Sequence, residues 1–145
     1  MRAEAWAILT AVCWGVGSLL EKQGVKIGGL APVAGTTIRT MVSLLFLLVV
    51  SFPFWGQFKQ AGIQSIALIA VGGGILAGGL GIISLYAGLK TGQLATVMTI
   101  AFCLTPVIGT AMGYFILHEK PTSIQVLGIA FCITGAALVT FYRPS

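Results

Sequence analysis

Long apolar runs alternate with short breaks along the whole chain; Lys59, Lys90, Glu119 and Lys120 lie in the breaks, and Gly or Pro punctuates each of them. Five runs stand out, over residues 4–26, 32–54, 64–89, 93–117 and 123–142. Each is close to the ~20 residues needed to cross a bilayer core as a helix. The connections at 27–32, 55–63, 90–92 and 118–122 are too short to hold a further domain. The pattern predicts an all-α integral membrane protein: one domain over 1–145, built of five transmembrane helices. Two local signals support the boundaries. Thr122 and Gln125 have the spacing of a capping box opening the fifth helix. Phe52, Phe54, Trp55 and Phe58 gather where the second helix leaves the bilayer, as an aromatic belt does.

Helical periodicity separates the first run into two faces. Ile8, Val12, Val16, Leu19 and Leu20 fall on a lipid side. Thr10, Trp14, Gly17 and Glu21 fall opposite, flanked by Ala11, Gly15, Ser18 and Lys22. In the second run Pro32, Thr36, Arg39, Thr40 and Ser43 share a face, with Ile38, Met41, Leu45, Leu48 and Val49 on the other. Glu21 and Lys22 lie ~10 Å from the middle of their span at ~1.5 Å per residue, inside a hydrocarbon half-thickness of ~15 Å. Arg39 sits at a matching depth. Intramembrane charges are costly unless paired or wetted. Two readings follow: a structural Glu21–Arg39 pair with Lys22 snorkelling, or a cluster of net positive charge that faces a cavity and attracts a carboxylate or phosphate.

The third run is rich in glycine at 72–74, 78, 79 and 81, and its small-xxx-small spacings predict close helix packing. The fourth shows a stripe of Gly92, Thr96, Thr99, Cys103, Pro106, Thr110 and Gly113. Pro106 removes a backbone hydrogen bond near mid-span and predicts a kink or hinge. The fifth carries a seam of Ile124, Gly128, Phe131, Gly135 and Leu138, suited to helix association or dimer packing through Gly128 and Gly135.

Composition sharpens this picture. The chain is 57% apolar and 8% charged, against roughly 25% charged in soluble domains. Its net charge of +5 is scattered without basic runs, which argues against nucleic acid. Cys13, Cys103 and Cys132 all lie in apolar runs without metal-ligand spacing, so no metal, cofactor or disulfide framework is expected. Arg2 and Glu4 offset one another and no small-x-small cleavage site follows, so the first helix is expected to remain. Loop charges barely decide orientation: Arg2, Lys59 and Lys120 lie on one side, and Lys22, Lys26, Lys90 and Arg143 on the other. No phosphate loop, nucleophile elbow or carboxylate pair is present, so an enzyme or ATP-driven pump is not expected.

Trp14-Gly15, Lys22, Pro32 and Arg39, then Tyr86-Ala-Gly-Leu-Lys90, Thr105-Pro106, Glu119, Thr122, Gln125, Gly128 and Gly135, together resemble an EamA-like domain of the drug/metabolite transporter superfamily. The likeness spans about residues 6–141. It implies a five-helix unit. Typical members carry two such units as inverted repeats around a substrate cavity, and move amino acids, other metabolites, sugar nucleotides or drugs. This chain has one unit, and it departs from the four-helix multidrug exporters because Glu21 is displaced toward one end of its helix. The resemblance therefore implies a half-size secondary transporter of the cell (inner) membrane, paired as an antiparallel homodimer or with a second half-transporter. Its substrate would be a small metabolite, anionic or zwitterionic, lying closest to Trp14, Ser18, Lys22, Arg39, Tyr86 and Thr99. The alternatives are a non-transporting subunit of a larger complex, a pore without counterflow, and a small multidrug-type proton antiporter.

Overall fold

The computed structural model describes residues 3–142. Arg2 and Arg143, which enter the orientation count, lie outside the described residues, as does the side chain of Lys59. Among the described residues every regular element is helical. The order is α1 (Ala3–Gly28), α2 (Pro32–Ser51), a 3₁₀ turn (Phe52–Phe54), α3 (Gly56–Gln60), α4 (Gly62–Ile69), a wide-turn stretch (Ala70–Gly81), α5 (Ile82–Thr91), α6 (Leu94–Ile116) and α7 (Ser123–Phe141). Four segments are long and apolar enough to cross a membrane: Pro32–Phe54, Gly62–Thr91, Leu94–Ile116 and Ser123–Phe141. To these α1 adds 26 residues, uncharged from Ala5 to Leu20 and then interrupted by Glu21 and Lys22. Outward faces are largely apolar. From Met41 to Val50 every α2 side chain is exposed, including Leu45 at 63% and Phe46 at 66%. Water would not tolerate a continuous surface of that kind, whereas lipid covers it and leaves the helical backbone internally satisfied. The chain is an all-α, multi-pass membrane protein.

Two compact units divide the chain, residues 1–91 and 92–145. In the first, α1 packs on α2 and α5, and α2 packs on α5. Val25, Ile82 and Tyr86 form its buried cluster, with Trp14 packed against it. The turn from α1 to α2 is set by local chemistry. Gly29 takes a left-handed φ of 57°, while its N–H donates to Lys26 O and that of Leu30 to Val25 O at 3.1 Å. This Schellman arrangement stops α1. Extended Ala31 then leads into Pro32, which opens α2 with a preset φ and no N–H to leave unsatisfied. At the same turn Lys90 Nζ donates to Leu30 O at 3.0 Å, pinning the end of α5 to it.

Two local features depart from the simple pattern of runs and breaks. The 55–63 connection contains the short α3 and closes on Gly62 at φ 72°, a left-handed conformation for which glycine is suited. The third span is composite. Over Ala70–Gly81 the backbone widens to π-type turns, in which the carbonyl five residues back comes close. A methyl group on Gly78 would lie 2.8 Å from Gly73 O, and one on Gly81 3.2 Å from Leu76 O. Gly72, Gly73 and Gly74 face open space. These glycines accommodate the helix's own backbone, which differs from the interhelical packing that their spacing predicts. Long π stretches are rare, and glycine reduces their steric cost.

In the second unit α6 packs on α7. Leu117 N and Glu119 N both donate to Gly113 O, at 3.0 and 3.1 Å. His118 turns the chain at φ 56°, and Glu119 folds back over Gly113, where a methyl group would meet its Oε2 at 3.1 Å. The capping box is formed: Gln125 N donates to Thr122 Oγ1 at 3.3 Å and Thr122 N to Gln125 Oε1 at 2.8 Å. Every member of the α6 stripe is buried or half-buried. Several hydroxyls along the spans donate to carbonyls one turn back, as Thr36 does to Pro32 O and Thr105 to Ala101 O, which satisfies them without water.

Candidate functional site

The α1–α2 turn acts as a ruler. Glu21 lies seven residues before Gly28 and Arg39 seven after Pro32, so both stand ~10 Å from the turn at ~1.5 Å per residue. Equal depth and facing stripes let them meet, and Arg39 Nε contacts Glu21 Oε1 at 2.8 Å. The pair is neither sealed nor free in solvent, with side-chain exposures of 31% for Arg39 and 21% for Glu21. The guanidinium also lies 5.5 Å from the centre of the Trp14 ring, within the range of a cation–π attraction. An ion pair and an aromatic face together hold the arginine at one place.

Two cavities meet at this pair. One, of ~180 Å³, is lined by Cys13, Trp14, Gly17, Ser18, Glu21 and Arg39. The other, of ~500 Å³, is lined by Glu21 and Arg39 together with Leu20, Val25, Leu30, Ile38, Val42, Ser43 and Tyr86. Glu21 and Arg39 are common to both, so the pair forms the partition. The smaller side offers an indole and the buried Ser18, while the larger offers aliphatic walls and Tyr86, which is 3% exposed. Tyr86 lines the larger cavity together with Glu21 and Arg39. An acidic group on the guanidinium with an apolar body in the larger cavity is the ligand this geometry suits.

The structure thus brings together four of the six expected contact residues: Trp14, Ser18, Arg39 and Tyr86. Lys22 is half-buried beside Glu21 on α1 but does not line either of these cavities. Thr99 is half-buried on α6, in the second unit. Near it Thr96 is buried at 7% with no partner for its hydroxyl, a feature the stripe contains without distinguishing. On α2 the packed face is Pro32, Gly35, Thr36 and Arg39, so Thr40, expected inward, is exposed. Gly35 is not among the expected site residues. A methyl group there would lie 2.6 and 2.7 Å from Tyr86 Cε1 and Cδ1 and 3.2 Å from Val25 Cγ2. One turn below Arg39, the missing side chain is the space that the Tyr86 ring occupies. Its only sequence signal is the four-residue spacing to Arg39 on one helix face.

The second unit carries a groove of ~550 Å³ lined by Pro106, Thr110, Glu119, Gln125, Gly128 and Cys132 among others. Although α6 runs unbroken through Pro106, this residue has no N–H to give the carbonyl one turn back. Pro106→Ala should leave membrane insertion unchanged and lower transport about threefold to tenfold if the weakened turn bends during the cycle; equal initial rates in reconstituted vesicles would make the proline a packing residue. On α7 the seam is outward, with Ile124 82%, Phe131 69% and Leu138 54% exposed. Cys132 and Ala136 are turned in. Gly128 is exposed and Gly135 half-buried, with open space around the Cβ position of each.

An all-helical multi-pass chain with a charged, cavity-lining pair inside its first compact unit has the makings of a small-molecule permease. A family comparison agrees. Residues 1–141 match the EamA-like transporter family, and the chain belongs to that family. It is accordingly a membrane transporter of small molecules. No curated protein and no solved structure matches it.

Proposed function

We propose that the chain is a secondary carrier of the cell (inner) membrane that moves small metabolites bearing an acidic group, anionic or zwitterionic, by alternating access between two paired copies. The observation that carries the substrate reading is the partly open Glu21–Arg39 pair at the junction of two cavities. Arginine presents a planar fork of donors suited to carboxylate and phosphate. A cation held at membrane depth but left accessible attracts such groups far more strongly than one in water. The pairing reading rests on the outward seam of α7, along which Gly128, Phe131 and Leu138 are exposed. The near balance of loop charges favours insertion in both orientations and hence an antiparallel homodimer.

Substrate class is tested by thermal stabilisation of the purified protein against anionic, zwitterionic, cationic and neutral metabolites. Acidic ligands should raise the midpoint and Arg39→Gln should abolish the rise. Stabilisation by cations alone, or by nothing, contradicts the reading and favours a subunit that does not transport. Pairing is tested by a reporter at the C-terminus, expected on both sides of the membrane in comparable amounts. Two lysines added to the 55–63 connection should fix one orientation and two near Arg143 the other, each inactive alone and active together. A reporter on one side only would leave a parallel or hetero-paired assembly.

A further inference from the structure

We propose that the groove between α6 and α7 is a phospholipid site, which seats a phosphoethanolamine headgroup at the 117–122 turn and one acyl chain along the helices. The site lies within the second unit and is independent of the reading of Arg39. Its walls are rows at helical spacing, Thr110 and Pro106 on α6 facing Gln125, Ile129 and Cys132 on α7. Both rows run to a similar depth. Pro106 lies ten residues from Ile116, where α6 ends (116 − 106), and Cys132 nine from Ser123, where α7 begins (132 − 123). These separations are ~15 and ~14 Å at ~1.5 Å per residue. The hydrocarbon half-thickness is ~15 Å, so the groove runs from the interface about one leaflet deep. Its volume of ~550 Å³ is in the range that takes a drug-sized group, which is room for a headgroup and part of one chain.

The turn leaves polar groups open at the mouth. Glu119 N donates to Gly113 O, which brings the Glu119 carboxylate over Gly113. Lys120 follows it, and both residues line the groove and are exposed. Among the described residues the ion pair is Glu21–Arg39, so neither Glu119 nor Lys120 has a charged partner. Gln125 adds donors: its Oε1 accepts from Thr122 N at 2.8 Å, which fixes the amide orientation and leaves the NH2 group for a ligand. Phosphoethanolamine carries an ammonium and a phosphate a few bonds apart, matching these neighbouring charges. Glu119 receives the ammonium, while Lys120 and the Gln125 amide donate to phosphate oxygens. Below them the acyl chain lies along Ile129 and Cys132, crossing Gly128, whose Cβ position is open. An anionic lipid sets its phosphate against Glu119 with no ammonium to offset it. A soluble zwitterion satisfies the charges but leaves the apolar walls uncovered.

The test measures lipid retention by native mass spectrometry on the full chain purified in detergent. Dioleoyl phosphatidylethanolamine and dioleoyl phosphatidylglycerol are offered in equal amounts, so that chains and phosphate are common and the ammonium differs. Phosphatidylethanolamine should be retained about threefold to tenfold in preference, as charge-assisted hydrogen bonds at a partly exposed site allow. Glu119→Gln should bring the two lipids to near-equal retention, and Lys120→Gln should weaken both. Glu4→Gln, in the other unit, should behave as the wild type. O-phosphoethanolamine, the headgroup without chains, should not displace the lipid at equal concentration. The wild-type preference and the displacement arm decide the matter if Glu119→Gln does not fold. Equal retention of the two lipids by the wild type, a preference that survives Glu119→Gln, or no retention at all would each overturn the proposal. Displacement by O-phosphoethanolamine would overturn it too, leaving a soluble zwitterion as the occupant.

Discussion

Gly35→Ala should be among the most damaging single-methyl changes in the protein. Its Cβ would sit 2.6 Å from the Tyr86 ring, closer than carbon atoms approach without displacement. The ring is 3% exposed and packed with Val25 and Ile82, so it has little room to yield by rotation. Either α5 moves away from α2 or the ring leaves the cluster. Overpacking of this kind costs about 1–3 kcal/mol, and in lipid no hydrophobic gain between helices offsets it. The thermal midpoint in detergent should fall and ligand stabilisation should be lost. Gly35→Ala combined with Tyr86→Ala should recover much of the midpoint, because the clash is gone, but not ligand binding, because the wall of the larger cavity is gone as well. A Gly35→Ala protein as stable and as responsive as the wild type would show that α2 and α5 do not meet this closely.

The second large effect is expected at the ion pair, as a split between stability and binding. Removing one partner leaves the other charge uncompensated inside the membrane. Because the pair is partly open, the cost should stay below that of a sealed pair, at about 1–3 kcal/mol for Arg39→Gln or Glu21→Gln alone. The double change removes both charges and should be more stable than either single change. Ligand stabilisation behaves differently. It should be absent in Arg39→Gln and remain absent when Glu21→Gln restores stability, because the cation that receives the acidic group is missing. If the pair is only a structural tie between α1 and α2, the double variant recovers stability and ligand response together. A double-mutant cycle with both readouts separates the two roles.

Much of this arrangement is legible in the chain itself, for reasons that are local. The α6 stripe repeats at helical spacing, and that face is turned in from Gly92 to Gly113. Glu21 and Arg39 can be matched in depth by counting along the chain, because both are measured from one Gly/Pro turn and helices rise uniformly. The lipid side of α1 follows from the same periodicity, and Ile8, Val12 and Leu20 are 57–65% exposed. What periodicity does not encode is contact between distant segments. Gly35 matters because of Tyr86, fifty-one residues later (86 − 35), and no pattern within α2 announces that partner. Thr40 shows the same limit, since which flank of Arg39 turns inward is settled by α5. Over Ala70–Gly81 the run is apolar or glycine on every side, so the sequence has no polar face against which to read turns widened beyond the α-helical period. The α7 seam is the converse case. Its spacing suits packing within one chain or between two, and the exposure of Phe131 and Leu138 separates it from the contact with α6.

Carriage of an acidic metabolite at Arg39, as proposed, is tested most directly by accelerated exchange. Purified protein is reconstituted into vesicles, and uptake of a labelled acidic ligand that stabilises the protein is followed with and without the same compound loaded inside. The account predicts saturable uptake that is faster into loaded vesicles, and loss of both uptake and acceleration in Arg39→Gln. Uptake that ignores the internal load and survives Arg39→Gln would contradict it.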